Sequence, residues 1–171
     1  MEINRVVVGP LETNCYILSI SDKCLVIDPG DEYNKIKEVI DNRDVVGVII
    51  THHHFDHIGA LNNFDKNLIF DKTNLEEKEY NIKDFNFEVI YTPGHKEDSI
   101  TLYFKEEKIM FTGDFIFKGT IGRTDLKGGN MSLMINSLNK IKNYNDDIII
   151  YPGHGDKTIL LNEKLGFDRF R

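Results

Sequence analysis

Short apolar runs rich in β-branched and aromatic residues, separated by turn-forming residues, fill the first half of the chain. Such runs are typical of β-strands. Asp22 lies in the turn of a predicted hairpin, and the Pro-Gly pair at residues 29–30 ends the strand that follows it. Ile36 and Ile40 are spaced as on one face of a helix. The pattern predicts strands over residues 3–8, 14–20, 23–28 and 45–50, and a helix over 33–42.

Strands and helices alternate in the second half of the chain. Apolar residues at helical spacing within 58–64 predict a helix that Asp56 or His57 opens. Asn130 is a favourable N-cap for a longer helix, and residues 73–84 predict neither state. The other predicted elements are a weak strand over 67–71, strands over 86–92, 99–104, 108–112 and 147–151, and helices over 131–143 and 158–165.

The order of these elements predicts the fold class. Strands dominate the first half and return between helices in the second, which favours an α/β fold. We expect two mixed β-sheets packed face to face, with helices on their outer faces. No internal repeat, low-complexity tract or flexible linker divides the sequence, so we expect residues 1–171 to form one domain.

The composition limits the binding partners and the cellular location that we expect for this protein. Because the formal charge is −7, we do not expect nonspecific binding of nucleic acid. No apolar stretch reaches the roughly 18 residues of a membrane span, and the first residues lack the apolar region of a signal peptide. We therefore expect a cytoplasmic protein with no nucleic-acid or membrane partner. Cys15 and Cys24 lie in strand-like runs, and we expect both to be buried reduced thiols.

Every histidine of the chain lies just after a strand-like run. Four of the six fall within residues 51–57, Thr-His-His-His-Phe-Asp-His, and the other two, His95 and His154, each follow a Pro-Gly pair. Scattered surface histidines would not share this placement. The pattern indicates a metal site.

The spacing within the histidine run indicates two metal ions. His52 and His54 would point to opposite sides of a helix, but they face the same side of an extended segment. Asp56 and His57 are adjacent, so a turn would direct them to a second point nearby. Each pair then needs a third ligand, and His95 and His154 are the candidates. By the same alternation, His53 faces away from the ions and has a packing or supporting role.

Asp114 is the natural bridge between two dications. It ends the strand-like run 108–112 and follows Gly113, which lets the backbone approach closely. These seven ligands leave open positions for water, as a catalytic site requires. We assign Asp56 and Asp114 as catalytic as well as metal-ligating. Histidine and aspartate suit two divalent ions, with zinc as our first expectation and iron or manganese as alternatives.

The succession Thr-His-x-His-x-Asp-His, Pro-Gly-His, Gly-Asp and Pro-Gly-His resembles the metallo-β-lactamase superfamily, and most of all its small glyoxalase II-like hydrolases. The runs 113–126 and 12–16 carry the same resemblance. It implies an αββα sandwich with the site at one edge of the two sheets. It also implies two ligand sets with Asp114 between them: His52, His54 and His95 on one metal, and Asp56, His57 and His154 on the other.

The resemblance also implies a substrate contact in the loop after Asp114. Arg123 lies where the family uses a basic residue, and Lys118 and Lys127 are nearby alternatives. We do not expect glutathione specificity to carry over, because the sequence ends about 17 residues after His154, where glyoxalase II continues into a helical C-terminal domain.

The resulting prediction is a dinuclear hydrolase that cleaves a small acyl-thiol by metal-bound hydroxide. A thiolate leaves without a proton donor, and the motifs contain no spare general acid. Asp114 stands where β-lactamases usually carry a cysteine, which disfavours β-lactam cleavage. A mononuclear-iron persulfide dioxygenase, using His52, His95 and Asp114, is an alternative, and a non-catalytic metal-binding module is another. The sequence leaves the oligomeric state open.

Overall fold

The computed structural model describes residues 1–170. Thirteen strands and four α-helices occupy this part of the chain. The strands are β1 Glu2–Val8, β2 Thr13–Ile20, β3 Lys23–Ile27, β4 Asp44–Ile49, β5 Ile69–Phe70, β6 Glu79–Ile82, β7 Phe85–Tyr91, β8 Ile100–Phe104, β9 Ile109–Gly113, β10 Ile116–Phe117, β11 Thr120–Ile121, β12 Ile149–Pro152 and β13 Thr158–Ile159. The helices are α1 Tyr33–Ile40, α2 Phe55–Ile58, α3 Met131–Ile141 and α4 Leu160–Lys164.

Two mixed sheets form the centre of the fold. The first has the order β1-β2-β3-β4-β5, in which β3, β4 and β5 run parallel. The second has the order β13-β12-β9-β8-β7-β6, in which only β12 and β9 are parallel neighbours. A small hairpin, β10-β11, stands apart from both. This arrangement confirms the predicted fold class.

The main core fills the space between the sheets. It combines side chains from the inner face of the first sheet, such as Leu18 and Ile49, with side chains from the second, such as Phe104 and Phe111. Strands at the centre of each sheet, β2 and β9 among them, are buried along nearly their whole length. Both faces of such strands are covered, so apolar residues occupy successive positions instead of alternating with polar ones.

Helices cover the two outer faces. Ile36 and Ile40 of α1 pack against the first sheet, in a cluster that also holds Cys15 and Cys24. Both cysteines are buried free thiols, as predicted. Apolar residues of α3 and α4 pack against the second sheet. The four layers are therefore helix, sheet, sheet and helix. No helix within residues 1–170 is long and apolar enough to cross a membrane.

The predicted helix after residue 55 is shorter than its apolar pattern indicated. The α-helical segment ends at Ile58, and a single 3₁₀ turn, Leu61–Asn63, follows it. The amide of Ala60 bonds to the carbonyl of Pro29 at 3.0 Å, so a tertiary contact bends the chain away from the helix axis. The Asn130 side chain caps α3 as predicted, accepting a hydrogen bond from the amide of Leu133.

Three further short elements differ from the sequence-based prediction. Residues 79–82, within the ambiguous polar stretch, form β6 by pairing with β7. The hairpin β10-β11 follows Asp114 and has two residues in each strand. Thr158 and Ile159 pair with β12 as β13, so α4 begins at Leu160 rather than at residue 158.

The topology brings several strand ends to one edge of the sandwich. Strands β3 and β4 are parallel neighbours in the first sheet, as are β9 and β12 in the second. Strand β7 is antiparallel to β8, which is antiparallel to β9, so β7 runs in the same direction as β9. The carboxyl ends of parallel strands share one edge of a sheet. The segments after these strands therefore lie together.

Substitution of Phe111 tests how much the inter-sheet core contributes to the free energy of unfolding. Its ring packs edge-on against Tyr16 at 5.0 Å and stacks on Tyr151 at 5.2 Å, and 1% of the residue is exposed. Replacing it with alanine should lower the free energy of unfolding by roughly 3–5 kcal/mol, because it removes this packing and leaves a cavity. Leu165→Ala, at a residue that is 76% exposed, is the control and should change it by less than about 0.5 kcal/mol. Urea denaturation measures both, and equal losses would contradict the assigned core.

Candidate metal centre

Four segments carry the candidate ligands to the shared edge of the sandwich, and a fifth supports them. The histidine run follows β4, and His95 follows β7. Asp114 follows β9, and His154 follows β12. The fifth segment, residues 9–13 between β1 and β2, contributes the carbonyl of Leu11 and the hydroxyl of Thr13 to the same region. Residues distant in sequence therefore meet because the strands before them end at one edge.

The structure brings the predicted donors together in two groups. In the first, His54 Nδ1 lies 3.1 Å from His52 Nε2 and 2.9 Å from His95 Nε2. Asp114 Oδ2 lies 3.5 Å from His95 Nε2 and 3.9 Å from His52 Nε2. A tetrahedral zinc site with bonds of about 2.0–2.1 Å has donor–donor edges of about 3.3 Å. The spacing of this group is close to that value.

The second group lies directly beside the first. Asp56 Oδ2 is 3.4 Å from His57 Nε2 and 3.2 Å from His154 Nε2. The two carboxylate oxygens of Asp114 face this group as well, with Oδ1 3.3 Å from His57 Nε2 and Oδ2 3.5 Å from His154 Nε2. Asp114 is thus within 4 Å of donors from both groups, as a bridging carboxylate would be.

The hydrogen bonds on the far side of each ring fix which nitrogen faces the centre. His95 Nδ1 donates to the carbonyl of Arg123 at 2.8 Å, and His154 Nδ1 donates to that of Leu11 at 3.0 Å. His57 Nδ1 donates to the carboxylate of Asp28 at 2.9 Å. A neutral imidazole carries one N–H, so once each ring has lost its extra proton, these bonds leave the lone pair on Nε2. Such lone pairs are what a cation binds.

Two buried atoms show that the site suits a cation. His57 Nε2 and Asp114 Oδ1 are buried and have no hydrogen-bond partner. An unpartnered buried polar atom costs free energy unless something else satisfies it. A divalent cation between these two atoms would satisfy both. The donor set therefore fits the metals that the sequence predicts.

Asp28 and Thr51 support the site, and sequence reasoning missed both roles. Asp28 is buried and accepts hydrogen bonds from the amide of Thr51 at 2.8 Å, from its hydroxyl at 2.7 Å and from His57 Nδ1. Since the Thr51 hydroxyl donates to Asp28, it accepts from His52 Nδ1 at 3.1 Å. Asp28 thus orients His57 of the second group directly and His52 of the first group through Thr51. The signal was an aspartate at a strand exit, before the Pro-Gly pair at 29–30.

Close backbone approach requires glycine at two positions of the centre. Gly113 has φ of +51°, and a Cβ there would lie 2.3 Å from the Thr51 hydroxyl oxygen. A Cβ on Gly153 would lie 2.3 Å from Asp114 Oδ1 and 2.7 Å from a ring carbon of His57. Any larger residue at either position would push Asp114 or its neighbours out of place.

The two donor groups differ in the pKa values of their histidines. In the first, burial and neighbouring imidazoles hold the pKa of His52 well below its usual value, and burial lowers that of His54. In the second, burial opposes protonation, but Asp28 and Asp114 outweigh it and raise the pKa of His57 to about 10. Hydrogen bonds to Asp114 and Asp56 likewise outweigh burial and raise the pKa of His154 to about 10.

The carboxylates of the centre are ionised. Burial opposes ionisation of Asp114, but the imidazoles of His154 and His57 beside it hold its pKa well below the usual range. Burial opposes ionisation of Asp56 as well, and His154, His57 and a hydrogen bond from Thr13 outweigh it and lower its pKa. Both aspartates are therefore negative at neutral pH.

His53 lies on the far side of the chain, as the alternation predicted. Its Nδ1 is 2.8 Å from Asp98 Oδ2, and its Nε2 is 3.2 Å from Asp71 Oδ2. The amide of His53 also donates to Asp98 at 3.1 Å. His53 therefore ties the histidine run to the segment after His95, outside the donor groups.

The side chains of the proposed substrate contacts, Arg123 and Lys118, are largely exposed. The Arg123 guanidinium forms two hydrogen bonds of 2.7 Å with Asp125, and 60% of its side chain is exposed. Its carbonyl, not its side chain, contacts the donor cluster, through His95. Lys118 Nζ lies 3.9 Å from Asp156 Oδ2. A substrate role for either side chain stays a prediction.

Comparison with known families agrees with this geometry. The family model described as the metallo-beta-lactamase superfamily matches residues 8–85 and 69–154. The chain belongs to the metallo-beta-lactamase superfamily. Among its relatives in the superfamily is the "Probable metallo-hydrolase YqgX" of Bacillus subtilis, 32% identical over 96% of this chain and 95% of that protein. The "Hydroxyacylglutathione hydrolase GloC" of Haemophilus influenzae is 31% identical over the same shares of the two chains.

Solved structures of the superfamily share the architecture. The structure titled BLEG-1 B3 metallo-beta-lactamase superposes with a TM-score of 0.89 and 28% identity, covering 95% of this chain and 96% of that one. The structure titled TTHA1623 in a di-iron-bound form superposes with a TM-score of 0.84 and 26% identity, covering 94% and 96%. The latter holds two irons, and the superfamily as a whole binds divalent metals.

Metal binding should release protons from the second group. His57 and His154, each with a pKa of about 10, are protonated at neutral pH without metal. A cation must displace those protons, so its apparent affinity should rise as pH rises toward 10. Calorimetric zinc titration at pH 7 in two buffers of different ionisation enthalpy should show at least two protons released per chain. A release near zero would contradict the protonation of these two rings.

Asp28→Asn should weaken metal binding without altering the backbone. Asp28 has φ of +51°, a conformation that asparagine adopts readily, so the substitution removes charge and keeps shape. The His57 and Thr51 bonds lose their charged acceptor, and zinc affinity should fall roughly 10- to 100-fold. Competition with a chromophoric chelator measures it, and Asp41→Asn, at an exposed residue with φ of +56°, is the matched control. Equal affinities for the two variants would rule out an orienting role for Asp28.

Proposed function

We propose that this protein is a dinuclear metal-dependent hydrolase that cleaves a small thioester, an acylated thiol of low molecular weight. Water adds to the acyl carbon, the carbon–sulfur bond breaks, and the products are a carboxylic acid and the free thiol. The observation that carries the proposal is the carboxylate of Asp114, within 4 Å of ring nitrogens from both donor groups.

The two donor groups support the following assignment of ligands. His52, His54 and His95 would hold one cation, Asp56, His57 and His154 the other, with Asp114 between them. Zinc is our first expectation for both, with iron or manganese as alternatives, because imidazole and carboxylate donors suit all three. The di-iron form of a structural neighbour supports iron as a realistic occupant.

A pair of divalent cations lowers the pKa of water and stabilises negative charge on a reacting carbonyl oxygen. The chain provides the setting for that chemistry. Asp28 and the backbone carbonyls on the far side of the rings hold the donor nitrogens in place, so little reorganisation is needed during the reaction. The ionised Asp56 and Asp114 reduce the charge of two dications from +4 to +2. The centre therefore attracts an anionic or polarised carbonyl group.

The absence of a free proton donor among the described side chains near the centre favours a thiol leaving group. His53 is tied to Asp98 and Asp71, and the Arg123 guanidinium is tied to Asp125. An amide or alkoxide leaving group needs a proton, whereas a thiol with a pKa near 8.5 leaves as the thiolate. The name of the Haemophilus influenzae relative, a hydroxyacylglutathione hydrolase, supports the same choice.

The second donor group weighs against a mononuclear-iron dioxygenase. A single iron would take His52, His95 and Asp114 as its ligands. The second donor group would then hold no metal. His57 Nε2, which is buried, would also be left without a partner. Metal analysis separates the two: one iron per chain with oxygen uptake supports the dioxygenase, and full occupancy without turnover supports a non-catalytic module.

Asp114→Ala tests the proposal directly. Removing the bridging carboxylate should lower the metal content from two ions per chain and reduce kcat/KM for thioesters by at least about 1,000-fold, since both cations lose a shared ligand. Metal analysis of the native protein and a panel of thioesters, with β-lactam and phosphodiester arms, measure the effect. Asp125→Ala, at an exposed aspartate of the following loop, is the control for stability and metal content.

Two results would contradict the proposal. Normal turnover in Asp114→Ala would remove the bridging role of this residue. A native protein with two bound metals that hydrolyses no thioester, but cleaves a β-lactam or phosphodiester, would keep the metal centre and replace the substrate class.

A further inference from the structure

A cavity of about 480 Å³ opens beside the loop that carries His154. Its lining includes three cationic side chains, Arg5, Lys118 and Lys157, and one carboxylate, Asp156. We call this cavity the basic pocket. Three cations less one carboxylate give a local formal charge of +2, in a chain whose overall charge is −7. The pocket is therefore a local site that favours an anion on a chain of negative net charge.

The single carboxylate of the basic pocket does not saturate its cations. Asp156 lies 3.4 Å from the Arg5 guanidinium and 3.9 Å from Lys118 Nζ, so two cations share it at long distances. The closer bond of Arg5 is to the carbonyl of Gly155, at 2.9 Å. The ammonium of Lys157 lies over the Tyr151 ring, 5.8 Å from its centroid. Donors on all three cations are available to a further acceptor.

The walls of the basic pocket are held firmly. Tyr16 donates a hydrogen bond to the carbonyl of Pro152 at 2.6 Å, and its ring packs edge-on against Tyr151. Asn14 donates to the carbonyls of Pro152 and Gly155, at 2.9 and 2.8 Å. These bonds fix the loop that follows β12 against β2. A ligand would meet a preformed aromatic floor with a cationic rim.

The basic pocket and the metal centre share the same loop. His154 faces the donor groups, while Asp156 and Lys157, two and three residues later, line the pocket. Lys118 follows Phe117, whose ring centroid lies 6.1 Å from that of His154. An extended molecule with its reacting carbonyl at the metal centre could therefore place its other end in the pocket.

We propose that the basic pocket binds the anionic end of the thiol carrier whose acyl group is hydrolysed at the metal centre. This choice of ligand rests on the proposed function. Phosphate and carboxylate oxygens are the acceptors that guanidinium and ammonium groups bind best, and Arg5 offers the planar donor fork that matches them. A cavity of this size suits a terminal phosphate or carboxylate together with the group next to it.

Thioether analogues of the substrate measure the ligand affinity of the basic pocket, because they bind without being hydrolysed. S-ethyl-coenzyme A carries phosphates, S-methylglutathione carries carboxylates, and neither has a free thiol or a scissile bond. Calorimetry with the zinc-loaded protein should show that at least one of them binds. The Arg5→Gln/Lys157→Gln double variant should bind it roughly five- to tenfold more weakly, since each exposed ionic contact contributes a few-fold. Lys37→Gln/Lys66→Gln, with the same loss of charge at exposed lysines outside the pocket, should bind as the native protein does.

Turnover then tests the consequence for the substrate. For thioesters of the carrier that binds, the double variant should raise KM by a similar factor and leave kcat within about twofold. Thioesters of the neutral thiol N-acetylcysteamine should have a higher KM in the native protein. The single variant Lys157→Gln, whose side chain is exposed, repeats the test if the double variant folds poorly.

The outcomes separate the two proposals. Binding of a thioether that depends on Arg5 and Lys157, without any thioester hydrolysis, would keep the pocket and remove the proposed reaction. Thioester hydrolysis with a KM that is insensitive to carrier charge and to both substitutions would keep the reaction and overturn the pocket. Failure of both thioethers to bind would overturn the pocket as well.

Discussion

The structure depends on one electrostatic constraint: the buried carboxylate of Asp114 must be balanced. It lies among imidazoles from three separate segments, and its Oδ1 has no hydrogen-bond partner. An unpartnered buried anion is costly, and positive charge from protons or from metal ions must offset it. Without metal, the protons on His57 and His154 do so, which is why burial fails to lower their pKa. The same balance makes the site ready for cations.

The chain meets this constraint by placing rigid supports behind each donor. The carboxyl ends of the parallel pairs β3–β4 and β9–β12 set the backbone positions, and Asp28 links a ring in each donor group through His57 and Thr51. Glycines at 113 and 153 leave space where any Cβ would collide with the centre. Precision at the metal centre is thus a property of the sheets and of the layer behind the ligands. The ligands alone would not achieve it.

The sequence predicted the fold class from the order of its elements. It predicted the convergence of the donors from their positions after strand-like runs, together with the family resemblance. A spacing of i and i+2 after a strand determines which side His52 and His54 face, whatever the rest of the fold. The support from Asp28 could not be predicted in this way, because it depends on the register of β3 against β4. The helix after residue 55 was overestimated for the same reason, since the Ala60–Pro29 bond is a tertiary contact. The two-residue strands β10 and β11 lack any periodic signal.

Selectivity for a substrate must come from outside the metal centre, because two cations and a water molecule favour any reactive carbonyl or phosphoryl group. The Arg123 guanidinium, the basic group that the family resemblance favoured, is paired with Asp125, and its role in substrate binding stays a prediction. The basic pocket lies beside the loop that carries His154, and its cations outnumber its carboxylate. Because the chain as a whole carries a charge of −7, its net field disfavours an anion, and the basic pocket is a local exception beside the metal centre. Recognition by charge at a distance from the reacting carbonyl would let the metal centre stay chemically general while the protein selects the carrier.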